Sequence, residues 1–443
     1  MLNPINRDAF TLFNQGGILI PYEYTGYKDE ILASKSTAWF GTILNNSPIF
    51  DVKGPDAAKF LTSICVNNFM NMKVGSIRHA VLCNEKGLIL TDGVVMKIDE
   101  DTFRTYWLSP VIDYYASITS MNIEGIKMTG KEFFFQIAGP KSLEILEEAS
   151  KSDLHDIKFA KHRMAKIAGV DVRILRLGMA GTLAYEIHGD MDKCYEVYDC
   201  IWEVAKKYGA KKLGQVAYTM NHTEAGFPNI NMHYPLPWYE TPGLAEYLST
   251  RPMEGYFNLN RKLVGSVGDN LEIRFVTPYD VGWESLIRFD HDFPGREALE
   301  EISKNPTTTM VTLEWNPDDL GEIFASQFRG RDVEPYESMD DRPMDMYYNS
   351  GASMYYHADK VMAGDEMVGI SNGRLNSYYY RRMISLGLKI KREYAIEGTE
   401  LTVIWGTPGK PQKPIRVKVV RTPYLDLENN KDIDVNKIPR YQE

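Results

Sequence analysis

Val170-Asp171-Val172-Arg173-Ile174-Leu175-Arg176-Leu177, the break Gly178-Met179-Ala180-Gly181-Thr182, and Leu183-Ala184-Tyr185-Glu186-Ile187-His188 form the stretch that decides the fold. Apolar residues alternate at a period of two on both sides of a small-residue break, which predicts two paired strands. Downstream, residues 193–208 place Val197, Ile201, Trp202 and Ala205 on one stripe and predict an amphipathic helix. Upstream, Phe133-Phe134-Phe135-Gln136-Ile137-Ala138 predicts a strand, and Gly139-Pro140 turns it into a helix from Lys141. Further out, Pro55 opens a helix over residues 55–64. Residues 80–83 and 89–98 then predict two strands joined through Asn84-Glu85-Lys86-Gly87. The order strand–helix–strand–strand–helix occurs twice. It predicts an α+β fold of two split βαβ (ferredoxin-like) units rather than a doubly wound parallel sheet.

Beyond residue 300 the pattern turns β-rich. Runs at 310–315, 366–370, 384–390, 400–405 and 415–420 are spaced like a small antiparallel barrel or jelly roll. We expect residues 1–300 to form the first region and 301–443 a C-terminal β-barrel domain. Residues 228–292 are rich in proline, glycine and aromatic residues, as in Tyr234-Pro235-Leu236-Pro237-Trp238-Tyr239, and are expected to be a substrate-side insert.

With 443 residues, 50 Lys+Arg against 60 Asp+Glu and 44% hydrophobic residues, the chain has the profile of a soluble globular protein of several packing units. An acidic balance argues against a nucleic-acid partner. No run approaches the roughly 20 apolar residues that span a bilayer, so no membrane association is expected, and the opening lacks a secretion signal. The four cysteines (Cys65, Cys83, Cys194, Cys200) form no CxxC, and the histidines show no ligand spacing. We therefore expect no metal, and reduced thiols in a cytoplasmic protein.

No nucleophile elbow, zinc helix, phosphate loop or dinucleotide fingerprint is present. What remains are polar groups among apolar ones. Asp92 sits inside Gly87-Leu88-Ile89-Leu90-Thr91-Asp92-Gly93-Val94-Val95, where a carboxylate needs partners or an altered pKa, or lies at an edge. Glu186 is flanked by apolar residues and points either inward or to solvent. Tyr218, in Gly214-Gln215-Val216-Ala217-Tyr218-Thr219-Met220-Asn221-His222, packs as an ordinary helical tyrosine or serves as a general acid towards an oxygen leaving group of matched basicity.

Four segments in this order resemble the aminomethyltransferase (glycine cleavage T-protein) superfamily. Residues 50–55 through Asp92-Gly93-Val94-Val95 resemble its first folate-contacting stretch. Residues 176–187 resemble its "RTGYTGEDGYEI" strand pair, Glu224-Ala225-Gly226-Phe227-Pro228 its "LEAGxP", and Asp292-Phe293-Pro294-Gly295-Arg296-Glu297-Ala298-Leu299 its "DFIGREAL". The resemblance implies tetrahydrofolate as co-substrate. It also implies two folate-binding ferredoxin-like subdomains and a C-terminal antiparallel barrel, in a cloverleaf around the pterin. By position, Glu186 matches the glutamate that bonds the pterin, and a carboxylate suits paired N–H donors. Asp92 matches the catalytic acidic residue, Trp283 a tryptophan beside the folate, and Arg296 a partner for the glutamyl tail.

Met179 replaces a family tyrosine, while Tyr218 and His222 replace arginines of the T-protein. With Tyr22 and Tyr24 in the opening, this is similar instead to the tetrahydrofolate-dependent aryl O-demethylases of the vanillate and syringate type. The resemblance implies transfer of a methyl group from a methoxylated aromatic compound, with Tyr218 as proposed acid and His222 as its orienting or reprotonating neighbour. Tyr22, Tyr24, Phe227 and Trp238 are the expected ring pocket. Gly93 is a candidate for the position of the arginine that anchors a benzoate carboxylate in those enzymes. No obligatory protein partner is expected. The alternatives are a demethylase of a sulfonium or methylamine donor, an aminomethyltransferase, and a non-enzymatic folate-binding protein.

Overall fold

The computed structural model describes residues 8–15, 18–230, 232–251, 261–339, 347–348 and 354–441. The chain forms three lobes, and a cavity lies between the first two. The first is built on a five-stranded antiparallel sheet ordered Ile77–Cys83, Ile89–Lys97, Thr102–Tyr106, Ile49–Lys53, Glu124–Lys127. Helices Ala57–Ile64 and Val111–Ile118 bury Phe60, Leu61, Ile64, Val111 and Ile112 in its core. The second sheet runs His162–Ile167, Val170–Leu175, Ala184–Asp190, Glu132–Ala138, Trp39–Gly41, Lys211–Leu213. Its covering helix Cys194–Lys207 buries Cys194, Val197, Tyr198, Ile201, Val204 and Ala205, the three-and-four spacing of one helical face.

The two lobes repeat one plan, strand–helix–three strands–helix–strand, in the same sheet order. The second differs by the inserted Trp39–Gly41, which makes its last pairing parallel. Against the expected order strand–helix–strand–strand–helix, each lobe has two further strands, a third one before its second helix and one after it, Glu124–Lys127 and Lys211–Leu213. Thr102–Tyr106 is short and follows Asp99-Glu100-Asp101, and His162–Ile167 alternates around Arg163 and Lys166, so neither shows a continuous apolar signature.

The third lobe is a closed six-stranded antiparallel barrel of Thr308–Trp315, Arg382–Lys391, Glu366–Ser377, Asp359–Ala363, Glu400–Trp405 and Lys413–Val420. Asp359–Ala363 and helix Pro317–Ser326 were not anticipated. After the last barrel strand the chain returns to the second lobe. Arg176 there donates to the carbonyls of Asn430 (2.6 Å) and Ile433 (2.7 Å), and Val435 enters that lobe's core. Residues 228–251 and 261–292 pack largely on the first lobe, whose core holds Tyr234, Leu236, Trp238 and Leu244. Among the described residues no helix is long and apolar enough to cross a membrane.

Candidate functional site

Between the first two lobes lies a cavity of about 340 Å³. Strand Ile89–Lys97 brings Asp92, Gly93 and Val94 to it, strand Glu132–Ala138 brings Phe134 and Gln136, and strand Ala184–Asp190 brings Glu186. Helix Gln215–Glu224 supplies Tyr218 and His222, and all ten of its residues are buried. So polar a helix is tolerated in the interior because most of its side-chain polar groups are satisfied, Asn221 Oδ1 being left without a partner among the described residues. Thr219 and Asn221 bond carbonyls one turn back, and Glu224 pairs with Lys35 at 2.9 Å. The returning C-terminal segment closes one side with Asn429 and Asn430.

Glu186 and Gln136 are direct cross-strand neighbours, and the Gln136 amide reaches the Glu186 carboxyl only at 3.5 Å. Burial without a cationic partner pushes the Glu186 carboxyl up to about 8. Behind it His188 is driven down to about 3, chiefly by burial. Tyr106 donates to Glu132, which is ion-paired to Arg104, so His188 Nδ1, 2.8 Å from the Tyr106 oxygen, carries the imidazole proton. Nε2 is left as a bare lone pair 3.4 Å from Glu186 Oε2, with no hydrogen bond among the described residues. That arrangement favours a protonated Glu186 in the ligand-free protein. Gln136 Oε1 is likewise a buried acceptor with no partner among the described residues. A ligand with several N–H groups satisfies both.

On another wall, rings pack in series. Tyr218 meets His222 edge-on at 5.3 Å, His222 lies 6.0 Å from Phe227, and Phe227 lies 5.4 Å from His79. His222 Nδ1 donates to the Phe227 carbonyl at 3.2 Å, and burial lowers its pKa to about 4. It is therefore a neutral ring near pH 7, lying edge-on to Tyr218. Asp92 Oδ2 lies 2.8 Å from His79 Nε2, and Oδ1 accepts from Tyr234 at 3.3 Å.

The structure thus gathers Asp92, Glu186, Tyr218, His222 and Phe227 around one cavity. Trp283 stands one layer back, edge-on to His79 at 4.7 Å and 5.6 Å from Phe227. Four more expected residues are not in the lining either. Trp238 is held in the first lobe's core by donating its indole N–H to the Leu90 carbonyl at 2.6 Å. Tyr24 is buried with Lys212 5.6 Å from its ring, and Tyr22 packs near Phe13 across the N-terminal hairpin. Arg296 is engaged locally, by Asp292 in the preceding loop at 2.7 Å and by Glu300 on its own helix at 3.0 Å. Its motif has a structural use: a Cβ on Gly295 (φ +85°) would sit 2.3 Å from the Asn84 carbonyl, so the glycine lets this helix seat on the hairpin turn.

Sequence reasoning missed His79, Gln136, Asn229, Asn429 and Asn430. Gln136 carried a signal, a lone amide in the apolar run 133–138. His79 required the hairpin register, in which Val81 opposes Asp92 and His79 lies diagonally from it.

Residues 16–234 match the model described as the GCVT N-terminal domain. The chain is 56% identical over 439 residues to sesamin methylene transferase of Sinomonas sp. (strain No.22), covering 98% of this chain and 97% of that protein. The chain belongs to the GCVT (aminomethyltransferase) family. It is 28% identical to syringate O-demethylase of Sphingobium sp. (strain NBRC 103272 / SYK-6), over 89% of this chain and 86% of that one. The crystal structure of glycine cleavage system aminomethyltransferase T from Bartonella henselae superposes with a TM-score of 0.66 at 16% identity, covering 96% of each chain, and speaks for the shared fold. As a GCVT-family transferase the protein uses tetrahydrofolate as co-substrate. The cavity fits it: Gln136 Oε1 is a buried acceptor with no donor among the described residues, and Glu186 beside it accepts only a long 3.5 Å bond from the Gln136 amide, on a wall of apolar and aromatic side chains.

Proposed function

We propose that the protein takes a one-carbon unit from an aromatic ether, a methylene group bridging two ring oxygens, and delivers it to tetrahydrofolate, freeing a catechol. A methoxylated aromatic compound is the second reading. The observation that carries the proposal is a cavity holding both a phenol, Tyr218, and a buried carboxyl, Glu186, with no Lys or Arg in its described lining. At Gly93 a Cβ would fall 2.0 Å from the Tyr106 carbonyl oxygen, so this backbone admits no anchoring arginine there. A neutral donor suits such a cavity and a benzoate does not, since a buried carboxylate without a cation is costly. The similarity to sesamin methylene transferase supports a donor of the methylenedioxy kind.

When bound, tetrahydrofolate supplies the amine nucleophiles that accept the carbon. Glu186 and Gln136 would orient the pterin through its N–H groups. Tyr218 donates a proton to the departing aryl oxygen. A phenol suits a phenolate leaving group, because transfer is most efficient between groups of matched pKa. His222, neutral and tied to Phe227, holds the Tyr218 ring. Phe134, Trp107, Leu177 and Phe227 keep water from the reacting oxygen. The proposal is tested by incubating the protein with tetrahydrofolate and, separately, sesamin, methoxyphenols and methoxybenzoates, with phenol and catechol products read by chromatography. Catechol from sesamin is the expected result. Turnover of methoxybenzoates alone would overturn the donor assignment.

A further inference from the structure

A bridging methylene differs from a methyl ether in having two oxygens to release, and Tyr218 serves only one. We propose that His79, oriented by Asp92, is the proton donor to the second oxygen, an inference that rests on the methylenedioxy reading above. His79 lines the same cavity as Tyr218, and its side chain keeps 22% of its surface open. Its Nε2 is committed to Asp92 at 2.8 Å, and Nδ1 makes no protein hydrogen bond among the described residues. The ring cannot easily swing, being held edge-on by Trp283 and flanked by Phe227. Asp92 is fixed in turn by Tyr234. A carboxylate holding one imidazole nitrogen so that the other works on substrate is a recurring acid–base device. The titratable groups facing His79 are Asp92 from the adjacent strand, Tyr234 behind it and His222 beyond Phe227.

The protons balance. Release breaks two C–O bonds, each electron pair stays on its oxygen, and each oxygen takes one proton. Two N–H hydrogens are replaced by carbon on the folate, so Tyr218 and His79 pass protons on and end as they began. Asp92 is then a positioning residue for His79.

The test compares wild type, His79→Gln and His79→Gly in the full chain. With sesamin and tetrahydrofolate, His79→Gln should lower kcat about 100-fold, the usual worth of a general acid, while folate affinity measured by fluorescence quenching stays unchanged. Added imidazole should restore part of the His79→Gly rate. Without folate, wild type should bind 4-methylcatechol about tenfold more tightly than 4-methylphenol, one added hydrogen bond, and His79→Gln should erase that preference. Catechol release by His79→Gln within twofold of wild type would overturn the role of His79 and leave the proposed function standing. A slow variant with no imidazole rescue and an intact catechol preference would mark His79 as structural and also overturn it. Wild type that frees no catechol but demethylates methoxyphenols would remove the donor reading, and with it the second oxygen.

Discussion

Replacing Glu186 by Gln should weaken folate binding and strengthen the empty protein, two opposite effects with one cause. Burial holds this carboxyl near 8 in the ligand-free fold, against 4.5 for an ordinary glutamate. If the pterin N–H groups bind the ionised form, affinity must rise with pH until the carboxyl is already ionised. Each pH unit below 8 costs about tenfold, so wild-type affinity should improve about 100-fold from pH 6 to pH 9 and then level off. Glu186→Gln removes that slope. It also loses charge-assisted bonds worth roughly 1.5–3 kcal/mol, or about 10- to 150-fold in affinity at pH 9. Stability runs the other way. The folded protein holds this proton more tightly than the unfolded chain, so the contribution is complete below about pH 4.5 and is lost as pH climbs to about 8. At about 1.4 kcal/mol per pH unit, the interval from 4.5 to about 8 sets a ceiling of about 5 kcal/mol. Glu186→Gln escapes the penalty, so its apo form should be more resistant to urea than wild type at pH 8.5 and no different at pH 4. Anaerobic titration of tryptophan fluorescence with tetrahydrofolate, paired with urea melts at each pH, reads both arms. Flat wild-type affinity across pH 6–9, or the same slope in the variant, would refute the assignment.

Other substitutions probe other parts of the same cavity. Tyr218→Phe should lower kcat roughly 10²- to 10⁴-fold with folate affinity nearly unchanged; single-turnover kinetics matching wild type would remove the acid role. Gly93→Ala pushes a methyl to 2.0 Å from the Tyr106 carbonyl oxygen, where strand Thr102–Tyr106 cannot yield. The loss should be about 3 kcal/mol or more, read as a fall in urea midpoint. Arg176→Ala removes three hydrogen bonds to Asn430 and Ile433. Amide exchange should rise across residues 430–441 and folate affinity should fall, because Asn429 and Asn430 wall the cavity; unchanged exchange would show that the remaining contacts, with Ala184, His155, Glu147 and Asp153, suffice to hold the segment.

How much of this was legible before the structure depended on what each residue must satisfy. Strand Ala184–Asp190 and helix Cys194–Lys207 were readable because burial on one face imposes a period. Glu186 and Tyr218 stood out because their chemistry was out of place in apolar surroundings or matched a family position. The short strand Thr102–Tyr106 and the closing segment 424–441 were not readable. One pairs between two stronger neighbours, and the other meets its partner Ala184 across 246 residues, a contact no local pattern encodes.

The aromatic candidates carry the sharper lesson. Tyr22 and Tyr24 were grouped as a ring pocket from the family resemblance and Trp238 from the aromatic run 234–239, yet an aromatic side chain is equally at home in any core. Trp238 needs only one acceptor for its N–H, and the Leu90 carbonyl provides it. A carboxyl or amide in the interior has no such freedom. Gln136 and Glu186 face each other across adjacent strands; Gln136 Oε1 has no donor among the described residues, Glu186 accepts only a long 3.5 Å bond from the Gln136 amide, and a ligand bringing N–H groups into the cavity meets both. In a chain this rich in tyrosine and phenylalanine, the diagnostic residues are therefore the polar ones whose hydrogen bonds do not close. A Gln136→Leu variant puts that argument to the test: it should fold at least as stably as wild type in urea while losing folate affinity, and a destabilised variant that binds folate normally would show that the amide serves the core instead.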